Sequence, residues 1–103
     1  TQSDKKAIEY YTLAADQGIA DAQYNLGQFY DQGSHGLTQS SKRAIEYWTL
    51  AANQGYAEAQ FNLGVFYYNG TCVEQSISKA REWLTKAAAQ GLEEAINGLK
   101  QFK

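Results

Sequence analysis

The sequence has no proline, no methionine and only one cysteine, Cys72. The absence of proline suits a chain that is helical along most of its length and breaks at glycine. One cysteine cannot form an internal disulfide, so the fold has to be stable through packing alone, and a reducing compartment is favoured. The chain begins at Thr1 rather than methionine. This start indicates a processed or excised piece, for which a removed signal peptide stays an open alternative.

Long apolar runs and clusters of positive charge are also scarce. The longest apolar run, residues 65–68, is far too short to insert into a membrane. The densest basic groups are Lys5-Lys6 and Lys42-Arg43, and the formal net charge is −2. Duplex nucleic acid selects a basic stripe, so we predict no nucleic-acid partner. The hydrophobic fraction of 44% is enough for one folded core in 103 residues and too high for a disordered tail.

A 33-residue stretch of the chain is present twice. Residues 1–33 and 38–70 are identical at 23 of 33 aligned positions, and a third, looser copy begins near Ser76. Repeats of this length are typical of solenoids, in which each unit covers the apolar face of the next. Stacked repeats usually form extended binding surfaces rather than enclosed active sites. The repeat therefore predicts an all-α solenoid, a single domain over residues 1–103, with a binding role.

Apolar residues spaced three and four apart, interrupted by glycine, predict two helices per copy. In the second copy, Ser40 or Ser41 should cap the first helix, and Gly55 should end it in the left-handed conformation. Gly27 and Gly64 fall inside helices, where the missing side chain lets a neighbouring helix approach closely. The predicted helices are 4–17, 20–32, 40–54, 57–69, 76–90 and 93–102, in pairs at about 4–33, 40–70 and 76–102. The first helix of each pair is B-type and the second is A-type.

Residues along two stretches of the chain stand at characteristic fixed offsets. They are Ala22, Leu26, Gly27, Tyr30, Gly33, Leu37, Ala44, Ala51, Ala52 and Gly55, then Ala59, Leu63, Gly64, Tyr67, Gly70, Val73, Lys79, Ala80, Trp83, Lys86, Ala87, Ala88 and Gly91. This pattern resembles the Sel-one-like repeat (SLR) family, a relative of the tetratricopeptide repeat, over essentially the whole chain. The resemblance implies a right-handed superhelix of about six antiparallel helices, with the A-type helices lining its concave side.

The third copy departs from this pattern near its end. Lys100 stands where the second copy has Gly64, and Lys103 stands where it has Tyr67. These changes indicate that the last helix is cut short or serves as a cap.

The resemblance also implies a binding surface, because SLR proteins act as adaptors that hold other proteins. By analogy with tetratricopeptide repeats, the concave residues of each A-type helix follow from the position of its Leu-Gly pair. They include no lysine or arginine, which argues against a free C-terminal carboxylate as ligand and favours a neutral or basic extended peptide or helix. The predicted binding residues are Asp21, Tyr24, Asn25, Gln28, Asp31 and Gln32, then Glu58, Phe61, Asn62, Val65, Tyr68 and Asn69, then Glu94, Asn97 and Gln101.

Within this set, Phe61, Val65 and Tyr68 follow one another at four and three residues, so one helix face should carry all three. An exposed apolar patch of this kind would mark a binding site. The alternative is that Tyr24, Phe61 and Tyr68 are only core residues at the periphery of the fold that are partly exposed to solvent.

Two other functions stay open. Exposed terminal helices of a solenoid can stack, so the chain could be a self-associating structural segment with no separate ligand. A hydrolase-like enzyme is the more distant alternative, since His35 follows Asp31 by four residues, but no serine or cysteine nucleophile is fixed beside it. His35, Cys72 and Asp31 also lack the spacing of a zinc site. We therefore predict a protein–protein interaction scaffold with no catalytic residue, metal or cofactor.

Overall fold

The computed structural model describes residues 2–102, so Lys103, the predicted counterpart of Tyr67, lies outside the described residues. Helices account for most of this part of the chain, and no β-strand occurs within it. None of these helices has both the length and the apolar character that crossing a bilayer requires. The helices are α1 (Gln2–Asp16), α2 (Ala20–Gln32), α3 (Ser41–Asn53), α4 (Ala57–Asn69), α5 (Ile77–Ala89) and α6 (Glu93–Leu99). The predicted all-α solenoid is confirmed.

Local caps set most helix ends close to the predicted residues. The Ser40 hydroxyl accepts a hydrogen bond from the backbone N–H of Arg43 at 3.1 Å, so Ser40 is the cap of α3. Ser76 caps α5 in the same way, with the N–H of Lys79 as donor. Gly55 lies just after α3 with a φ of 91°, in the left-handed region that glycine adopts easily. These caps explain why sequence signals locate the helices so closely.

The last helix ends at Leu99, so the predicted end at residue 102 is wrong and the alternative of a shortened helix is confirmed. After Leu99 the chain forms a tighter turn, in which the N–H of Phe102 donates to the Leu99 carbonyl at 3.1 Å. This turn places the Phe102 ring 5.4 Å from the ring of Tyr68 on α4. The aromatic contact and the tighter turn replace the last turn of helix.

The core forms where bulky residues of α3 and α5 fill the space opposite helical glycines. Packing is tightest between α2 and α3 and between α4 and α5. Trp48, only 1% exposed, lies with its indole ring directly against Gly27. Leu84 occupies the equivalent place against Gly64. A methyl group at either glycine would overlap these side chains, so the predicted close approach of neighbouring helices is confirmed.

A line of glutamines joins successive repeats, which sequence reasoning did not identify. Gln60 is only 4% exposed, and its amide N–H donates to the Ala52 carbonyl at 3.1 Å. Its amide oxygen accepts a hydrogen bond from Gln90 at 3.0 Å. One repeat earlier, Gln23 and Gln54 make the equivalent contact at 2.9 Å. These bonds satisfy buried polar groups and tie each helix pair to the next.

Candidate binding face

The helices α2, α4 and α6 lie side by side along the molecule and carry the predicted binding residues. One hydrogen bond joins the first two of them directly, and a second reaches α2 from the residue before α4. Asn62 on α4 donates to the Gln28 side-chain oxygen on α2 at 3.1 Å. The hydroxyl of Tyr56, just before α4, donates to the Asp21 carboxylate at 2.8 Å. We call the surface formed by the predicted residues of these three helices the α2–α4–α6 face.

Near the start of α2, two predicted residues make contacts, one with the residue before α4 and one within α2. The rings of Tyr24 and Tyr56 lie 5.0 Å apart, and Tyr24 is half-buried. Asn25 donates to the backbone carbonyl of Asp21 at 2.8 Å. Burial, and then the negative charge of Glu58, raise the pKa of Tyr24 above its ordinary value. A hydrogen bond with the Asn62 side chain acts in the opposite direction on this pKa.

Between α4 and α6, a pocket of about 390 Å³ opens on the same face. Phe61, Val65 and Tyr68 line it from α4, and Tyr68 is 45% exposed. The buried side chain of Leu84 on α5 also lines it. The remaining lining residues, Glu94, Asn97, Gly98, Gln101 and Phe102, come from α6 and the turn after it. The structure thus brings the three residues of the predicted apolar patch together in one concavity. Their role in binding stays a prediction.

Other predicted residues lie outside this pocket. Asp31, Gln32 and Asn69 are in the last turns of α2 and α4 and do not line it. Tyr56 adjoins the face, and its contacts with Asp21 and Tyr24 were not predicted. Tyr56 precedes its helix rather than belonging to it, so a rule based on the Leu-Gly pair passes over it.

Leu84, Gly98 and Phe102 also belong to the pocket lining but were not predicted. Leu84 is on a B-type helix, and the resemblance assigns binding to A-type helices only. Gly98 stands at the register of Asn62 in the third copy, and that register was the one signal that could have identified it.

His35 and Cys72 lie in the loops between successive helix pairs. His35 has a φ of 58°, its ring lies 4.1 Å from the ring of Phe29, and its Nδ1 lies 3.1 Å from the Ser34 hydroxyl oxygen. Phe29 half-buries the His35 ring. Cys72, at φ 55°, is exposed in the following loop. Among residues 2–102, no cluster of histidine, cysteine and carboxylate side chains is suited to a metal ion.

Tandem helical units that pack on one another in chain order define an α-solenoid. The Sel1 repeat model matches residues 1–19, 20–56 and 57–92, so the chain belongs to the Sel1 repeat family. Its last two matches contain the tightly packed pairs α2–α3 and α4–α5. Proteins of this family generally act as scaffolds that bind protein partners, and the fold is typically non-enzymatic.

Two solved structures illustrate the similarity. A Sel1 repeat protein from Oxalobacter formigenes has 30% sequence identity over 93% of this chain, with a TM-score of 0.87. The protein c5321, described as a protective antigen of uropathogenic Escherichia coli strains with an SLR fold, has 38% identity over 89% of this chain and a TM-score of 0.84. The chain spans only 39% and 20% of the lengths of these two proteins. A comparison with curated protein sequences finds no match.

Proposed function

We propose that the chain is a protein–protein interaction scaffold that holds a segment of a partner protein on the α2–α4–α6 face. The observation that carries this proposal is the apolar pocket of about 390 Å³ on that face. Its volume falls within the range of pockets that bind ligands, and it combines apolar walls with a few polar groups.

The charge of the face favours a neutral or basic segment. Asp21 and Glu58 are exposed in the first turns of α2 and α4, and Glu94 is exposed in the first turn of α6. The predicted residues of the face include no lysine or arginine. A basic segment would be attracted to this arrangement, and an acidic one would be repelled.

The proposal assigns no catalytic role to the chain. The His35 ring packs against Phe29, and its nearest polar side-chain contact is the Ser34 hydroxyl in the same loop. The exposed Cys72 belongs to a different loop, so Ser34, the residue next to His35 in the chain, is the one hydroxyl or thiol that residues 2–102 show in contact with the ring.

Serine substitutions at Tyr24, Phe61 and Tyr68 together test the binding role. We expect the triple variant to lose the partners that the unmodified chain retains in a pull-down from the cells that express it. A matched control places serine at two exposed apolar positions outside the face and should retain the partners. Circular dichroism and thermal melting check that both variants fold. Unchanged partners with unchanged folding would discard the α2–α4–α6 face. The control positions are Leu50 and Ile77, which are 50% and 44% exposed.

Self-association is the second candidate function, and the exposure of Tyr10 and Leu13 on α1 supports it. In the second copy the counterpart of Tyr10 is Tyr47, which stacks on Tyr30 at 5.8 Å between ring centroids. A second molecule that covers α1 would give Tyr10 a similar environment. Size-exclusion chromatography with light scattering decides, because a clean monomer at high concentration removes this candidate.

A further inference from the structure

The two gaps between neighbouring helices of the α2–α4–α6 face differ at one pair of positions. In the α2–α4 gap, the Asn62 amide donates to the Gln28 side chain at 3.1 Å and bridges the two helices. In the α4–α6 gap, the repeat places Gly98 at the register of Asn62 and Val65 at the register of Gln28. Neither replacement carries a polar side chain, so this bridge cannot form.

The missing bridge leaves the space that the pocket occupies. Gly98 and Val65 both line the pocket, and Leu84 lines it between them as a buried apolar surface, 3% exposed. A Cβ atom at position 98 would meet Leu84 Cδ1 at 3.8 Å, which is ordinary van der Waals contact. A side chain could therefore stand at this position without a clash, and the glycine keeps the space open.

The lining indicates what the pocket can receive. Phe61, Val65, Leu84 and Phe102 make its walls mostly apolar. Among the described residues that line it, Glu94 carries the one charge. A carboxylate at the edge of an apolar site attracts a cation that stays partly in water.

We infer that this pocket receives one aromatic or branched aliphatic side chain of the partner segment, next to a lysine or arginine that pairs with Glu94. This inference rests on the proposed function and names the chemistry of the segment that the face would hold. The α2–α4 gap, closed by Asn62 and Gln28, contributes polar contacts without a side-chain pocket.

A selection from a phage-displayed library of random ten-residue peptides tests the inference. The immobilised chain should enrich peptides with an aromatic or aliphatic residue within two positions of lysine or arginine. The double substitution Val65→Gln with Gly98→Asn copies the closed gap into the open one. We expect it to weaken binding of the best peptide at least tenfold by fluorescence anisotropy. Leu50→Gln with Thr85→Asn introduces the same side chains at exposed positions of α3 and α5 and should leave binding unchanged.

A second variant keeps the test decisive if the filled pocket impairs folding. Glu94 is exposed, so Glu94→Gln should preserve the fold. This substitution should lower the affinity for basic peptides at least threefold at low salt and reduce the salt dependence of their binding. An equal effect on peptides whose lysine or arginine is replaced by glutamine would overturn the proposed ion pair.

The outcomes separate this inference from the proposed function. The selected peptides could bind the Val65→Gln, Gly98→Asn variant as tightly as the unmodified chain, while Tyr24→Ser lowers their affinity. In that case the pocket inference is wrong and the binding face stands. Enrichment of acidic peptides, or of peptides without apolar residues, also overturns the inference. If no peptide is enriched over an uncoated surface, both the pocket inference and the binding face are contradicted.

Discussion

Replacing Gly27 or Gly64 by alanine tests how closely the helices of this solenoid approach. Alanine is the better helix former by about 1 kcal/mol in a helix interior, so helix propensity alone predicts that both changes stabilise the fold. The packing predicts the opposite. At Gly64 the new Cβ would lie 2.7 Å from Leu84 Cγ and 3.3 Å from the Ala80 carbonyl oxygen. At Gly27 it would overlap the indole ring of Trp48.

The size of each effect depends on how far the side chain packed against the glycine can move. Overpacking a core typically costs about 1–3 kcal/mol. The Trp48 ring is rigid and 1% exposed, so the overpacking cost of Gly27→Ala lies at the upper end of this range. After the gain in helix propensity is subtracted, the free energy of unfolding should fall by about 2 kcal/mol. Leu84 can rotate part of the way, and Gly64→Ala should lose about 1 kcal/mol. In a domain of this length, each kcal/mol corresponds to a fall in Tm of about 4–8 °C.

Gly98→Ala is the matched control, because its Cβ would lie 3.8 Å from Leu84 and clash with nothing. It should leave stability unchanged or raise it by up to about 1 kcal/mol. Urea unfolding followed by circular dichroism at 222 nm measures all three variants. If Gly27→Ala and Gly64→Ala are as stable as Gly98→Ala or more so, the argument from close packing is refuted.

Three further predictions concern single contacts. Gln60→Ala leaves the Ala52 carbonyl without its side-chain donor and should destabilise the chain by about 1–3 kcal/mol in urea unfolding, whereas no change would contradict the glutamine link between repeats. Ser76→Ala removes the cap of α5 and should lose about 1 kcal/mol by the same measurement, with Ser76→Gly close to neutral. Burial and the hydrogen bond to Asp21 raise the pKa of Tyr56 above its ordinary value of 10.0, so this stabilisation is present below pH 10 and lost as the pH rises beyond it. Thermal melts from pH 8 to 11 should show a shallower alkaline loss for Tyr56→Phe, and identical slopes would contradict that assignment.

The helix order was predictable from the sequence because its signals are local. Ser40 and Gly55 bracket α3 through hydrogen bonding and backbone freedom within a few residues. The end of α6 was harder to predict, because Phe102 leaves the helix to pack on Tyr68, a residue far away in the sequence. Local propensity does not contain that contact.

The buried glutamines could not be identified from hydrophobic periodicity, since a polar residue is normally assigned to the surface. Gln23 and Gln60 are buried with their amides donating to the Ala15 and Ala52 carbonyls at the ends of α1 and α3, which also accept bonds from backbone N–H groups. The recurrence of these glutamines at one position of both copies was the signal available in the sequence.

The candidate site was predictable in part. The register of the repeat placed Phe61, Val65 and Tyr68 on one helix face, and the structure places them along one pocket. The pocket itself depends on which residues of α6 lie opposite α4. Comparing the copies shows that Gly98 replaces Asn62, but only the packing of the helices shows that this change opens a space.

The central claim is that a partner protein occupies the α2–α4–α6 face. Site-specific photocrosslinking tests it most directly, with p-benzoylphenylalanine at Phe61 and, as the control, at Leu50, which is exposed on α3. We predict a covalent adduct with a partner protein from the Phe61 position and none from the Leu50 position in the cells that express the protein. Adducts from Leu50 with none from Phe61 would contradict the claim.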